Sequence, residues 1–155
     1  MNIILMRHGE AIPFAASDSE RSLTPNGIAE VTKTSSLLME GGWVPKAVFC
    51  STRLRAQQTA CRVIESMSLS STPEIINGIT PEEEWRSALK IIAANASDGS
   101  LFVFHQPILT EIVGYLIESD PHADIHPRAV VAVAYVLSVC DFLPGKATIL
   151  SSYTP

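Results

Sequence analysis

The chain has 155 residues, 46% of them hydrophobic and 17% charged, which is typical of one globular domain and excludes a disordered protein. Its formal net charge of −5 argues against nucleic acid or an anionic membrane as a partner. No apolar run approaches the roughly 20 residues that span a bilayer, and the start of the chain lacks the basic and apolar regions of a signal peptide.

The first apolar run, Ile3 to Met6, predicts a buried strand that ends at Arg7, His8 and Gly9. Ligands of open α/β sheets bind at the carboxyl ends of strands, so Arg7 and His8 are candidate site residues. Arginine offers a planar fork of donors that suits phosphate, and histidine is a nucleophile and proton carrier near neutral pH. Gly9 lets a phosphate or a neighbouring backbone come close. Alone, the motif also fits a strand that merely ends in polar residues.

Residues 10–23 lack a clean period and predict a loop, in which Arg21 by itself indicates no more than a solvated charge. A helix is expected from Pro25 to about Glu40. Thr24 is a good N-cap for it, and Pro25 suits the first helical position. Gly41-Gly42 stops the helix.

A second apolar strand, residues 46–50, ends at Ser51, and a helix follows to about Met67. Ser51, Arg53 and Arg55 lie in its first turns, where free N–H groups and the helix dipole attract anions. At most one of the two arginines need point at the site. The other faces solvent or pairs with an acid.

The pattern of strand and helix continues through the middle of the chain. A strand over 74–79 and a helix over 82–96 are followed by a strand over 101–104 that stops at His105, and then by a helix over 108–118. Three glutamates at the start of the 82–96 helix favour its N-terminus through the dipole. The repeated pairing predicts an α/β three-layer sandwich with a mostly parallel central sheet and helices on both faces.

The C-terminal part predicts a loop and then a hairpin. His122 and His126 are four residues apart in the loop 120–127, but its prolines disfavour the helix that would pair them as metal ligands. We therefore expect a solvated loop there and no metal site. Strands over 129–139 and 147–152 form the hairpin, expected at the edge of the sheet.

No repeat, linker or low-complexity segment divides the chain, so we expect a single domain over residues 1–155. The three cysteines, an odd number without a Cys-x-x-Cys pair, lie in apolar surroundings at Cys50, Cys61 and Cys140. Reduced core thiols in a cytoplasmic protein are the expected state.

If the sheet is parallel near these strand ends, His8, His105 and at least two arginines converge on one rim. Such a pocket is cationic within an acidic protein and suits a phosphoryl dianion. A neutral imidazole can then attack phosphorus to form a covalent phosphohistidine, which water hydrolyses. The other histidine and the arginines hold the equatorial oxygens. This chemistry needs no metal or other cofactor, and the residues alone leave open which histidine is the nucleophile.

Four segments together resemble the histidine phosphatase superfamily, also called the phosphoglycerate mutase-like group. They are the Arg-His-Gly at Arg7 to Gly9, the Leu-Thr-x-x-Gly turn at Leu23 to Gly27, the Ser-x-x-x-Arg-Ala-x-Gln-Thr-Ala segment at Ser51 to Ala60, and His105. Two positions depart from the family pattern: Thr52 replaces the usual proline, and Phe104 replaces a small residue. The match runs from near the start of the chain to about residue 107.

Within the superfamily, the chain is similar to the SixA type of phosphohistidine phosphatase. The shared features are the short length, the loop of residues 16–19 before Arg21, and Ile79-Thr80-Pro81. The resemblance implies a phosphoglycerate mutase-like fold without a large cap insertion. It also implies His8 as nucleophile, Arg7, Arg55 and His105 around the phosphate, and Gly9, Arg21 and Ser51 as further substrate-binding residues.

Most members of the superfamily protonate the leaving oxygen with an acidic residue. In this chain Glu84, Glu83 and Asp18 are the candidates for that general acid. A phosphoramidate needs less help, because its leaving imidazole nitrogen can already carry a proton. The sequence does not choose among these candidates.

By this resemblance, the expected activity is a phosphatase acting on phosphohistidine in a signalling protein, such as a histidine phosphotransfer domain, with inorganic phosphate as product. An uncapped pocket would admit a protein surface. One alternative is a phosphatase of small phosphomonoesters, such as sugar or nucleotide phosphates. Another is a non-catalytic phosphate-binding module. A mutase is disfavoured, because isomerisation needs a capped site that keeps its intermediate from water.

Overall fold

The computed structural model describes residues 1–118 and 131–155, in which six strands form one mixed sheet. The strands are β1 (Asn2–Arg7), β2 (Ala47–Cys50), β3 (Glu74–Ile75), β4 (Ser100–Phe104), β5 (Ala134–Val139) and β6 (Ala147–Tyr153). The helices are α1 (Pro25–Glu40), α2 (Leu54–Ser66), α3 (Trp85–Asn95) and α4 (Ile108–Leu116), and a 3₁₀ turn spans Asp18–Glu20.

The strand order is β3-β2-β4-β1-β5-β6. Strands β1 to β4 pair in parallel, whereas β5 pairs antiparallel with both β1 and β6. The mostly parallel sheet and the C-terminal hairpin, with β6 at the sheet edge, are therefore as the sequence predicts.

Two hydrophobic cores lie on opposite faces of this sheet. In β1, Ile3 and Leu5 pack with residues of α3 and α4, whereas Ile4 and Met6 pack with residues of α1 and α2. Successive side chains of a strand point to opposite faces, so a continuous apolar strand must be covered on both. This alternation confirms the three-layer α/β sandwich.

The N-terminus of α1 is attached to the chain that leaves β1. Thr24 caps the helix: its Oγ1 accepts from Gly27 N at 2.9 Å and donates to Glu10 Oε1 at 2.8 Å. A Cβ added at Gly27 would lie 2.1 Å from the Glu10 carbonyl oxygen, so only glycine permits this approach. The Leu-Thr-x-x-Gly turn thereby fixes the loop that follows β1.

Three element boundaries differ from the sequence prediction by three residues or more. Strand β3 has only 2 residues, because the left-handed Gly78, with φ of 85°, turns the chain away while Ile76 and Ile79 still enter the core. Helix α3 begins at Trp85, three residues after the predicted start. Strand β5 begins at Ala134, since Ala132 adopts a left-handed φ of 57° that a strand cannot continue through.

Part of the C-terminal prediction lies outside the described residues. This holds for the loop 120–127 with His122 and His126, and for the first two residues of the predicted strand over 129–139.

Candidate active site

The site lies at the carboxyl ends of three adjacent strands, β2, β4 and β1. His8 N donates to Phe104 O at 3.2 Å, and Ser51 N donates to Val103 O at 3.1 Å, so the chain segments leaving these strands stay side by side. Since parallel strands end at the same sheet edge, Ser51, His105 and His8 meet there.

The position of the proton on the His8 ring follows from its hydrogen bonds. His8 is 8% exposed, and its Nδ1 lies 2.7 Å from the carbonyl oxygen of Gly9. A carbonyl only accepts, so Nδ1 carries the proton and Nε2 has the free lone pair. Arg55 Nε donates to that Nε2 at 3.3 Å. The backbone thus holds the tautomer that exposes Nε2 to the arginine.

Burial lowers the pKa of His8 to about 4, an effect that the Gly9 hydrogen bond opposes and that nearby arginines, Arg55, Arg7 and Arg21, reinforce. The His8 imidazole is therefore neutral at neutral pH. Neutral imidazole is the form that can act as a nucleophile.

His105 is the second histidine of the site, 1% exposed, with its ring centroid 5.1 Å from that of His8. Its Nε2 lies 2.8 Å from Ser51 Oγ. Its Nδ1 is buried and has no hydrogen-bond partner among the described residues. Burial, and then the proximity of His8, lowers the pKa of His105 below its usual range. An unpartnered buried ring nitrogen is a group that a ligand could satisfy.

Two arginines border the histidines. Arg55 lies in the first turn of α2, is 4% exposed, and reaches His8 through Nε. Arg7, at the end of β1, has a buried Nε that finds no acceptor in residues 1–118 and 131–155. Together the two guanidinium groups make the pocket cationic, which suits an anionic ligand with several oxygen atoms.

Three arginine side chains surround the carboxylate of Asp18. Its carboxylate pairs with Arg21 at 3.0 Å, with Arg55 at 3.2 Å and with Arg53 at 3.7 Å. The hydrogen bond from Arg21 is the largest cause that lowers the pKa of Asp18. Arg21 also donates from Nε to the carbonyl of Ile12 at 2.7 Å, so two of its three guanidinium nitrogens bind acceptors of the protein. Arg53 pairs with acids, Asp18 and Glu82, which is one of the options the sequence left open.

Gly9 is packed by neighbouring backbone. Its N–H donates to Thr59 Oγ1 at 3.0 Å, and an added Cβ would lie 2.7 Å from the carbonyl oxygen of Gly27. Thr59 in turn donates to the Arg55 carbonyl at 2.8 Å. Sequence reasoning missed Thr59 as a link between the His8 and Arg55 segments, although it lies inside the matched segment from Ser51 to Ala60.

The glutamates near α3 have structural partners of their own. Glu84 is the N-cap of α3 and accepts from Ser87 N at 3.1 Å. Glu83 accepts from Thr80 Oγ1 at 3.4 Å. Glu82, which the sequence assigned to the helix dipole, lies before the helix and instead binds Arg53. That ion pair was not predicted, because its two residues are 29 positions apart in the chain.

Phe104 and Thr52, the two departures from the family motif, are not among the polar groups that line the pocket. Phe104 is fully buried in the core beneath α3 and α4. The carbonyl of Thr52 accepts from Gln57 Nε2 at 2.8 Å, within the start of α2. The bulk of Phe104 is therefore accommodated by the core.

The described residues contain neither a metal-binding cluster nor a membrane-spanning helix. Across the described ranges 1–118 and 131–155, no group of three or more His, Cys, Asp and Glu side chains could hold a metal ion. His122 and His126 fall outside those ranges. None of the helices in the part of the chain that the structure describes is long and apolar enough to cross a membrane.

The fold and the site define an α/β protein with a cationic pocket built around a neutral histidine. The family model of the histidine phosphatase superfamily (branch 1) matches residues 3–77. Phosphohistidine phosphatase SixA of Escherichia coli (strain K12) is 33% identical over 120 residues, which cover 76% of this chain and 72% of that protein. The chain therefore belongs to the histidine phosphatase superfamily, a group of hydrolases.

Two further comparisons extend over nearly the whole chain. The SixA homolog of Haemophilus influenzae (strain ATCC 51907 / DSM 11121 / KW20 / Rd) is 28% identical over 164 residues, covering 96% of both proteins. A solved structure of the protein histidine phosphatase SixA complexed with tungstate superposes with a TM-score of 0.84 and 26% identity, covering 100% of this chain and 97% of that one. These matches confirm the phosphoglycerate mutase-like fold and the similarity to SixA-type members.

Proposed function

We propose that this chain is a phosphatase that forms a covalent phosphohistidine on His8. The hydrogen bond from His8 Nδ1 to the Gly9 carbonyl, at 2.7 Å, is the observation that carries the proposal. It puts the lone pair on Nε2, which attacks phosphorus once Arg55 Nε turns from it to a phosphoryl oxygen. The N–P bond to Nε2 forms as the bond to the leaving group breaks, and water then attacks the phosphoenzyme. Breaking of the N–P bond releases inorganic phosphate and restores neutral His8.

Arg7, Arg55 and His105 are proposed to hold the oxygens of the phosphoryl group. Support comes from Arg7 Nε and His105 Nδ1, which are buried without a partner among the described residues. Preorganised donors aimed at developing charge account for much of the catalysis of phosphoryl transfer. Because side chains supply this positive charge, the proposed reaction uses no metal and no cofactor. Ser51 acts on His105 by holding its Nε2, at 2.8 Å.

We propose phosphohistidine on a signalling protein, such as a histidine phosphotransfer domain, as the substrate. The two curated relatives reported above carry the names phosphohistidine phosphatase SixA and SixA homolog. The second matches along 96% of both chains. Residues 1–118 and 131–155 form one sheet with its covering helices and no separate cap domain, which suits the open approach that a protein-borne phosphoryl group needs.

The proposed reaction needs no carboxylic acid when the leaving imidazole already carries a proton on its other nitrogen. Of the three candidate general acids, Asp18 has its pKa lowered, first by the hydrogen bond from Arg21, and is a poor proton donor at neutral pH. Glu84 caps α3, and Glu83 binds Thr80. We therefore propose that the substrate's own imidazole carries the proton that the leaving group needs, and that no side chain of this chain supplies it.

We further propose that residues 1–155 act as a single domain in the cytoplasm, in signal transduction. Strands β1 and β6, from the two ends of the chain, belong to one sheet. Cys50 is buried, whereas Cys61 and Cys140 are exposed, so the prediction of core thiols is wrong for these two. Free exposed thiols are usual in a reducing compartment.

The experiment that tests this function is capture of the phosphoenzyme. A histidine phosphotransfer domain carrying ³²P is mixed with excess enzyme and quenched in alkali, in which phosphohistidine survives. Label is expected on the wild-type chain and absent from His8→Ala. Label on both chains would contradict His8 as the nucleophile. Phosphate binding without label or release on either chain would favour the non-catalytic alternative.

A further inference from the structure

The guanidinium group of Arg55 has an acceptor on each of its three nitrogens. Nε donates to His8 Nε2 at 3.3 Å, Nη1 to the Asp18 carbonyl at 2.9 Å, and Nη2 to Asp18 Oδ2 at 3.2 Å. The N–H groups on Nε and Nη2 point the same way and form the edge that binds two oxygens of a phosphoryl group side by side. In the free protein, His8 and Asp18 occupy that edge.

The Asp18 carboxylate can leave Arg55 without losing all its partners. Its side chain is 47% exposed, and it also pairs with Arg21 at 3.0 Å and with Arg53 at 3.7 Å. Solvent and these two arginines remain available when Arg55 turns to another anion. Arg55 is 4% exposed and has no such freedom. When a phosphoryl group binds Arg55, Asp18 is therefore the acceptor that leaves.

We propose that the Asp18 carboxylate competes with phosphate for Arg55 and thereby limits how tightly the pocket holds a bare phosphate ion. The inference rests on the proposed function, in which Arg55 binds the phosphoryl group. A bare phosphate ion gains only the contacts of the pocket and must displace Asp18 to obtain them. A phosphorylated protein adds contacts outside the pocket that offset this displacement. The same competition weakens binding of the product and favours its release.

A purely structural role for Asp18 predicts the opposite sign. If the carboxylate only held Arg55 in place, its removal would let the guanidinium move and would weaken phosphate binding. If the carboxylate competes, its removal strengthens phosphate binding. The direction of the change in affinity therefore separates the two roles.

The test is the dissociation constant of inorganic phosphate, measured by isothermal titration calorimetry on the full chain. We expect Asp18→Asn to lower the Kd about tenfold, the scale of one charge-assisted hydrogen bond. Asp18→Ala should change it in the same direction. The matched control is Glu82→Gln, which also removes one negative charge beside the pocket but contacts Arg53 and not Arg55. The Glu82→Gln variant should change the Kd for phosphate by less than about threefold, because an exposed ion pair contributes little free energy.

An unchanged or higher Kd in both Asp18 variants would overturn the inference. Equal tightening in Asp18→Asn and Glu82→Gln would also overturn it, because net charge alone would then be the cause. In either case, competitive inhibition of the wild-type enzyme by phosphate would leave the proposed function standing. If phosphate neither binds nor inhibits any of these chains, the phosphate site of the proposed function itself fails.

Discussion

At the scale of single residues, the site depends on how backbone groups fix one imidazole. The Gly9 carbonyl oxygen accepts a hydrogen bond from His8 Nδ1, at an N···O distance of 2.7 Å, so no acidic side chain is needed to orient the ring. Gly9 is itself fixed, since its N–H binds Thr59 at 3.0 Å. The lone pair on His8 Nε2 is therefore aimed before any substrate arrives, which is the kind of preorganisation that lowers the cost of reaching a transition state.

The ionisation of His8 should be shifted far below that of an ordinary histidine. Burial lowers its pKa to about 4, from 6.5, so the ring stays neutral at pH 7 and gains a proton only as the pH falls towards 4. We expect the NMR signals of the His8 ring, assigned with His8→Ala, to be flat from pH 7 to about 5. A midpoint near 6.5 would contradict the buried, neutral nucleophile.

The same shift makes stability depend on pH with a definite sign. The unfolded chain binds a proton at this histidine below about pH 6.5, whereas the folded chain does so only near pH 4. Between those values the unfolded state holds more protons, so the His8 contribution favours unfolding increasingly as the pH falls.

Two neighbouring arginines should differ sharply in their effect on activity. Arg55 donates to His8 and is 4% exposed, whereas Arg53 pairs with Asp18 and Glu82. We expect Arg55→Ala to lower kcat/KM about a hundredfold or more, as loss of a charge-stabilising donor does elsewhere. Arg53→Ala, the matched control, should lower it by less than about tenfold. Equal losses in the two variants would show that Arg55 acts only through net charge.

At the scale of elements, the site depends on strands that end together. Strands β2, β4 and β1 are adjacent in the sheet, so the residues that follow them are neighbours in space. The sequence predicts this well, because each strand is a continuous apolar run that stops at a polar residue. It predicts β3 poorly. Ile76 and Ile79 are buried but lie outside the strand, and buried residues give the same apolar pattern in the sequence whether or not they belong to a strand.

The contact between α1 and the end of β1 should be intolerant of a single methyl group. A Cβ at Gly27 would lie 2.1 Å from the Glu10 carbonyl oxygen, so Gly27→Ala must push α1 away from the β1 loop. Within a helix, alanine is ordinarily better than glycine by about 1 kcal/mol. We expect the reverse here, a loss of about 2 kcal/mol or more of unfolding free energy, the scale of overpacking in a core.

Urea denaturation measures this effect, with Gly42→Ala as the control. Gly42 has φ of 80° and no atom within 4 Å of an added Cβ, so its substitution strains only the backbone, by about 1 kcal/mol. A Gly27→Ala chain as stable as the wild type would mean that α1 is not fixed by this contact.

At the scale of the whole molecule, an acidic chain contains a cationic pocket. The net charge is −5, yet Arg7, Arg21, Arg53 and Arg55 gather near His8 and His105, balanced by Asp18 and Glu82. The sequence predicts that His8, Arg55 and His105 converge, because all three follow parallel strands. It does not predict the pairing of Asp18 with Arg55, since a loop residue 37 positions away has no fixed register against a helix.

Activity should persist when divalent metals are removed. In the proposed mechanism arginine and histidine side chains carry the charge that a metal ion supplies in other phosphatases. We expect unchanged turnover after dialysis against excess EDTA. Loss of activity that a divalent metal restores, and that His122→Ala and His126→Ala also cause, would instead make the loop 120–127 a metal site.

The most direct test of the account is the rate of phosphate release from a phosphohistidine-bearing phosphotransfer domain. The wild-type chain should release phosphate rapidly and at a far higher kcat/KM than from sugar or nucleotide phosphates, and His8→Ala should be inactive. Release by His8→Ala at a near-normal rate would contradict the mechanism. No release by a wild-type chain that still hydrolyses an aryl phosphate would keep the His8 chemistry and contradict the protein phosphohistidine substrate.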